Sequence, residues 1–214
     1  MLRLLLAFVL VVMVMGEGCC PPNAWEGFLG TMAGFIKYGV PHSTKSFLTY
    51  HTNSTLGMIY MEGDVIIDRW PTQKIRIFFD NNKNIEYLIM NNRCSKRTLA
   101  RKQRNCIPEN ATRVLKTYLG AGPETLAVIV YRFMDRDTEV YSTVTSDSCI
   151  PVNTVATGTN PAFKDEYMEV EQLSGITVGV KDPSVFDIPS MCHSADVSID
   201  YVPTISRWMP SGFY

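Results

Sequence analysis

Reactive side chains are few in this sequence. Six cysteines (Cys19, Cys20, Cys94, Cys106, Cys149 and Cys192), three histidines (His42, His51 and His193) and the acidic run Asp135-Arg136-Asp137-Thr138-Glu139 are the groups whose type and spacing could do chemistry. Cys192 and His193 are neighbours, which on paper is a thiol nucleophile beside a base or half of a zinc site. No C-x-x-C or H-x-x-H spacing accompanies them, and an oxidised Cys192 has no thiolate to offer. The sequence also lacks a G-x-S-x-G elbow, a Walker loop, an H-E-x-x-H pair and a dinucleotide fingerprint. A hydrolase therefore has no supporting constellation, and the expectation is a protein that is not an enzyme and requires no cofactor. In the acidic run, an extended backbone would turn Asp135, Asp137 and Glu139 to one side, where hard oxygen ligands could hold Ca2+. It is not an EF-hand loop, because Val140 stands where the turn glycine belongs; a solvated hairpin tip is the plainer reading.

The segment before the first cysteines sets the compartment. Arg3 is followed by the apolar run Leu4–Gly16, short of the roughly 20 residues that a membrane span needs. A charged start, an apolar stretch and small residues at Gly16 and Gly18 predict a cleaved secretory signal over residues 1–18, with residues 19–214 forming one domain. No second long apolar run follows, so no transmembrane segment is expected. In an oxidising compartment an even set of cysteines reads as disulfides, and six allow 15 pairings that spacing alone does not resolve. Cys19 and Cys20 do not readily bridge each other, since adjacent Cα atoms lie about 3.8 Å apart and a relaxed disulfide spans roughly 4.4–6.8 Å. Two sequons, at Asn53 and Asn110, agree with secretion, and Asn53 is the more accessible on sequence grounds. The chain is 46% hydrophobic and 19% charged with a net charge of −1, which gives no electrostatic reason to propose nucleic acid or an anionic membrane as partner.

The elements that would position these groups read mainly as strands. Residues 56–90 alternate, with Glu62-Gly63-Asp64 and Asp80-Asn81-Asn82-Lys83-Asn84 as two tight connections between β-rich runs. Period 2 puts Ile75, Ile77 and Phe79 on one face of their strand, and Ile85, Tyr87 and Ile89 on one face of the next. Residues 125–133 and 138–145 are β-branched and predict a hairpin, and residues 166–180 alternate again. Residues 108–120 suit a short helix, with a proline at the start and Gly120 at the end, although a strand fits nearly as well. Asp182 and Pro183 predict the cap and first position of a turn or two of helix that Pro189 ends. The sum is a mostly antiparallel β architecture with faces to cover.

The cysteine contexts, in order, are CCPPNAWEG, RCSKRTL, IPENAT, SCIPV and DPSVFDIPSMC. Together with the signal segment, this series resembles the ependymin family of secreted glycoproteins from about Cys20 to Cys192. The resemblance implies two stacked, curved antiparallel sheets with a few short helices around a hydrophobic cleft, as in bacterial lipoprotein-carrier folds. It implies a homodimer, an extracellular location or a lysosomal lumen, calcium binding, and contact with extracellular-matrix components. It also implies bridges Cys20–Cys149 and Cys94–Cys192. Cys19 and Cys106 are left over. Cys19, held beside the first bridge, is expected to reach Cys106, the rival being a bond between two chains. The tail at 195–214 extends past the last family cysteine.

Two readings of function follow. In the first, the protein is a secreted, non-enzymatic binder of a hydrophobic small molecule or lipid in a cleft between sheets, lined by Met58, Tyr60, Ile77, Phe79, Tyr87, Ile89, Ile129 and Tyr131. In the second, it is a calcium-dependent matrix or adhesion protein that acts through its surface.

Overall fold

The structure is a computed structural model and describes residues 19–37, 39–99, 106–159 and 166–195. The signal segment 1–18 and all of the tail but Ala195 lie outside the described residues. Eleven strands follow one another: β1 (Ala24–Lys37), β2 (Val40–Asn53), β3 (Met58–Ile67), β4 (Gln73–Asp80), β5 (Ile85–Met90), β6 (Arg93–Thr98), β7 (Thr112–Ala121), β8 (Glu124–Asp135), β9 (Thr138–Thr145), β10 (Pro151–Thr159) and β11 (Glu166–Val178). Two single 3-10 turns, η1 (Pro183–Phe186) and η2 (Ser190–Cys192), come last.

The mainly antiparallel β class is as expected, but the strands form one continuous sheet and not two stacked ones. Its order is β6-β5-β4-β3-β2-β1-β11-β10-β9-β8-β7. Each half is a simple meander. The halves join because β1 pairs along its length with β2 on one side and with β11 on the other, Leu29 facing both Leu48 and Leu173.

Three of the expected turns form. The chain reverses at Asn81–Asn84, where Asp80 Oδ1 accepts from the Lys83 amide at 2.8 Å and Asn84 takes the left-handed conformation. The β8–β9 hairpin turns at Arg136-Asp137, and Asp182 caps η1 with Pro183 at its start. The connection expected at Glu62-Gly63-Asp64 does not form. β3 runs straight through it, because Gly63 lets two strands approach closely: a Cβ there would fall 2.1 Å from the Phe47 carbonyl oxygen. The helix considered for 108–120 is also absent. Thr112–Ala121 is the edge strand β7, rich in β-branched residues, and Gly120 with Gly122 shapes the bend into β8.

Cross-strand partners share a face, so the register sorts every side chain onto one of two faces. The inner face carries one apolar cluster on β1–β5 and β11 (Leu29, Leu48, Met61 and Ile77 among others) and another on β8–β10 (Ile129, Phe133, Val140, Val144 and Ala156). Among the described residues no helix or second sheet lies over this face. The residues that join its clusters from outside the strands are Leu99, Ile107, Ala111 and Cys19. The outer face is open at its centre, where Phe28 is 59% and Phe47 66% exposed. Toward β3–β5 it is covered by the segment bearing η1 and η2, which packs Phe186 and Cys192 onto Tyr60, Phe78, Tyr87 and Ile89.

Three disulfides hold the ends of the chain to the sheet, and none of the six cysteines is free. Cys94–Cys192, with Cα atoms 5.3 Å apart, is the bridge implied by the family resemblance. The other two are exchanged relative to expectation: Cys19 bonds Cys149 and Cys20 bonds Cys106, in place of Cys20–Cys149 and Cys19–Cys106. The reason is a short antiparallel contact in which the Ile107 amide donates to the Cys19 carbonyl at 2.8 Å. One step along that contact sets Cys20 against Cys106, and Cys19 is left to reach Cys149. No thiol remains for a bond between chains. Of the two sequons, Asn110 lies in an exposed turn, whereas Asn53 is half-buried at the end of β2 with its side-chain oxygen accepting from the Leu56 amide at 3.1 Å.

Candidate ligand-binding face

The inner face can be followed row by row from the end of the sheet where β1 turns into β2. The rim row runs Thr138, Gly158, Tyr167, Phe35 and His42 across β9, β10, β11, β1 and β2. Thr138 and Tyr167 share a hydrogen bond at 2.7 Å, and Phe35 stacks on the His42 ring at 5.2 Å. His42 Nδ1 donates to Asp68 Oδ2 at 2.7 Å, and the Ser43 amide donates to Asp68 Oδ1 at 2.7 Å. The bond from His42, then that from Ser43, holds the Asp68 carboxyl below the usual range. Beside them, Pro41, Arg69 and Trp70 complete an open cleft of about 470 Å³.

One row deeper come Phe133, Val140, Ala156, Glu169, Ala33 and Thr44. The next row is Tyr131, Ser142, Thr154, Glu171, Thr31 and Ser46, a polar line across six strands. Thr31 and Ser46 share a hydrogen bond at 2.7 Å. Beyond it the face is apolar again, with Leu173, Leu29 and Leu48, then Tyr50, Met61, Ile77 and Leu88. At the far end Glu86 is buried and paired with Arg97, whose Nε and Nη2 donate to Oε2 at 2.7 and 2.5 Å.

Glu169 and Glu171 are buried on the inner face, 1% and 3% exposed, and sit two residues apart on β11. Burial first, and the charge of Glu171 second, push the Glu169 carboxyl well above the usual glutamate range. Burial likewise raises the Tyr50 phenol, with Glu171 adding to the effect against a bond to Thr52.

The eight residues expected to line one pocket fall into three groups. Ile77 and Phe79 belong to the larger inner cluster, and Ile129 with Tyr131 to the smaller one on β8–β10. Met58, Tyr60, Tyr87 and Ile89 lie on the outer face under the η1–η2 segment. Period 2 sorted each strand into faces correctly, but it does not say which face of one strand continues onto the next. On β4 and β5 both faces are covered, so Phe78 and Leu88 are as buried as their neighbours.

The acidic run does not form a metal centre. Its alternation holds only for an extended backbone, and the chain reverses at Arg136-Asp137. Glu139 therefore points to the outer face, where Arg132 Nη2 meets it at 2.5 Å, and Asp135 lies on a different strand and face. Among the described residues no three His, Cys, Asp or Glu side chains converge on a metal position. Cys192 is oxidised, so the Cys192-His193 pair has no thiolate; the His193 carbonyl accepts from Lys96 Nζ at 2.9 Å.

Glu169 and Glu171 were missed as site residues. In the string from Tyr167 to Leu173, apolar Met168 and Val170 alternate with acids, and hydrophobicity alone would turn the acids outward. The register does the reverse: Met168 is 52% exposed and the acids are inside.

The sequence model of the family described as Ependymin matches residues 69–192. Ependymin-related protein 2 from Haliotis asinina is 25% identical over 210 residues, covering 89% of this chain and 97% of the relative. Among solved structures, PNGF-II is 9% identical with a TM-score of 0.34, covering 82% of this chain and 30% of that one. The chain thus spans less than a third of that protein. A domain from Vibrio parahaemolyticus named for outer membrane lipoprotein sorting is 8% identical with a TM-score of 0.33, covering 79% and 90%. Structural likeness at this level supports no conclusion about function.

Proposed function

This chain belongs to the ependymin family, and from that premise we propose that it is a secreted, non-enzymatic protein that binds a hydrophobic, lipid-like molecule on the inner face of its sheet. The observation that carries this reading is the face itself. Two apolar clusters, centred on Met61 with Ile77 and on Val140 with Ile129, line one side of a single sheet, with an open cleft at the rim. An apolar wall of this kind, beside an open cleft, suits an apolar ligand held by burial and oriented by a few polar groups. Three disulfides fit an oxidising compartment, which supports export to the extracellular space or a lysosomal lumen after removal of residues 1–18.

The outer face takes a second copy of the chain. Phe28, Met32 and Ile36 on β1, Phe47 on β2 and Met168 on β11 form an exposed apolar patch. Lys45 on β2, opposite Met32, and Asp64 on β3, opposite Phe47, stand among them with opposite charges, which suits a self-complementary isologous pair. The surface-acting, calcium-dependent reading has no carboxylate cluster to support it among the described residues.

The test is to secrete the protein from a eukaryotic host and to extract it in organic solvent for mass spectrometry. A stoichiometric apolar molecule that copurifies supports the reading. If the extract is empty and the purified protein also takes up no apolar probe saturably, the reading is overturned.

A further inference from the structure

The centre of the inner face is not apolar, and plain core packing does not account for it. Glu169 and Glu171 stand side by side there, and the positions around them are small. Ala33 and Thr31 flank them on β1, and Ala156 and Thr154 on β10. Thr44 and Ser46 follow on β2, and Val140 and Ser142 on β9. The eight neighbours on β1, β2, β9 and β10 are all Ala, Thr, Ser or Val, so the carboxylates are the longest side chains until Phe133 and Tyr131 on β8 continue the two rows. Between β8 and β2 neither row holds a lysine or arginine; Arg113, opposite Tyr131 on β7, is exposed at the sheet edge four strands from β11, and His42 in the rim row is already engaged by Asp68. The other titratable groups that face the pair are the phenols of Tyr50, Tyr131 and Tyr167.

Among the described residues, Oε2 of Glu169 and the hydroxyl oxygen of Ser142, which is fully buried, find no hydrogen-bond partner. Buried polar groups are nearly always paired, and leaving one unmade costs about 1–3 kcal/mol. Ser142 is on another strand and is not part of the acidic pair, so it marks the same spot independently.

We propose that this bay holds the head of the bound amphiphile, and that the head is a primary ammonium on a single apolar chain. The inference rests on the reading of the inner face as a hydrophobic ligand site and names the class of ligand. An ammonium brings three donors and one positive charge. The bay offers carboxylate oxygens and a hydroxyl as acceptors, and burial first, then the charge of Glu171, penalise an ionised Glu169, a penalty that a cation held there offsets. An anionic head would face these carboxylates with no basic side chain beside it on β9, β10, β11, β1 or β2 to balance it. The Leu29, Leu48 and Leu173 row begins immediately beyond the pair and continues to Met61 and Ile77, which gives the chain a path.

Calorimetry at pH 7.4 with three probes of the same chain length, below their micellar concentrations, tests this: dodecylammonium, dodecanol and dodecyl sulfate. The wild type is expected to bind dodecylammonium about tenfold tighter than dodecanol, with dodecyl sulfate weakest, as charge-assisted bonds require. Glu169→Gln and Glu171→Gln should each reduce that preference about tenfold. Cooperative urea unfolding with an unchanged dependence on denaturant shows for each variant that the fold is intact. Saturable dodecanol binding without ammonium preference, or a preference that survives both substitutions, overturns the head-group assignment and leaves the apolar site standing. Failure of all three probes to bind overturns both.

Discussion

Replacing Glu169 with Gln should make the protein more stable, and only at higher pH. The side chain is 1% exposed, one of its oxygens has no partner, and burial with the neighbouring Glu171 charge holds its carboxyl well above the usual range. In the unfolded chain the same group ionises at about 4.3. Below that pH both states are protonated and Glu169 exerts no pH-dependent effect. Above it the unfolded state loses its proton first, so stability falls as pH rises and levels only once the raised native value is passed. Each unit of elevation removes about 1.4 kcal/mol at neutral pH. Gln keeps the shape and cannot titrate. The variant should therefore match the wild type to within about 0.5 kcal/mol at pH 4, as a substitution that removes no contact does. At pH 7.5 it should exceed the wild type by at least about 1 kcal/mol, the lower end of the cost of a buried unsatisfied group. For a chain of this size that is about 2–4 °C in Tm. Urea unfolding with the disulfides intact, at both pH values, measures the difference. An equal gap at both pH values, or a variant less stable at pH 7.5, refutes the placement of Glu169 on the inner face.

Three further variants probe the frame. Gly63→Ala puts a Cβ 2.1 Å from the Phe47 carbonyl and should cost about 2 kcal/mol or more in urea unfolding, through forced separation of β2 and β3. Removing Cys94 and Cys192 together opens a link spanning 98 residues, worth about 4–5 kcal/mol in the chain-entropy model, and should make the η1–η2 segment the first site of limited proteolysis. Asn110→Gln should lower the mass of the secreted protein by a whole glycan, because Asn110 stands exposed in a turn; a mass that changes only by the side chain would show the turn unused.

Much of this fold was legible locally, and the failures share a cause. The turn at Asn81–Asn84 and the cap at Asp182 depend on residues within a few positions of each other, and both form as expected. Gly63 looks like a turn residue in isolation. Its role is set by Phe47 across the strand pair, which no local pattern contains. β7 carried proline and glycine signals that suit a helix end, while its place at the sheet edge leaves most of its side chains exposed and its period weak. The bridges at Cys19 and Cys20 hinge on a one-residue offset fixed by the contact between Cys19 and Ile107. The site was the least legible part. Period 2 correctly grouped Ile77 with Phe79 and Tyr87 with Ile89, yet the two pairs ended on opposite faces. The acids of β11 pointed inward against their hydrophobicity, because Leu173 and Tyr167 on the same side of the strand are inner-face residues.

Photo-crosslinking reads directly whether an apolar ligand sits on the inner face. A fatty amine bearing a diazirine near the end of its chain, bound at saturation and irradiated, should label peptides containing Leu29, Leu48, Met61 or Ile77, and unlabelled amine should compete the label away. Competable label confined to the outer face, on peptides identified by adducts at Phe28, Phe47 or Met168, would contradict the account.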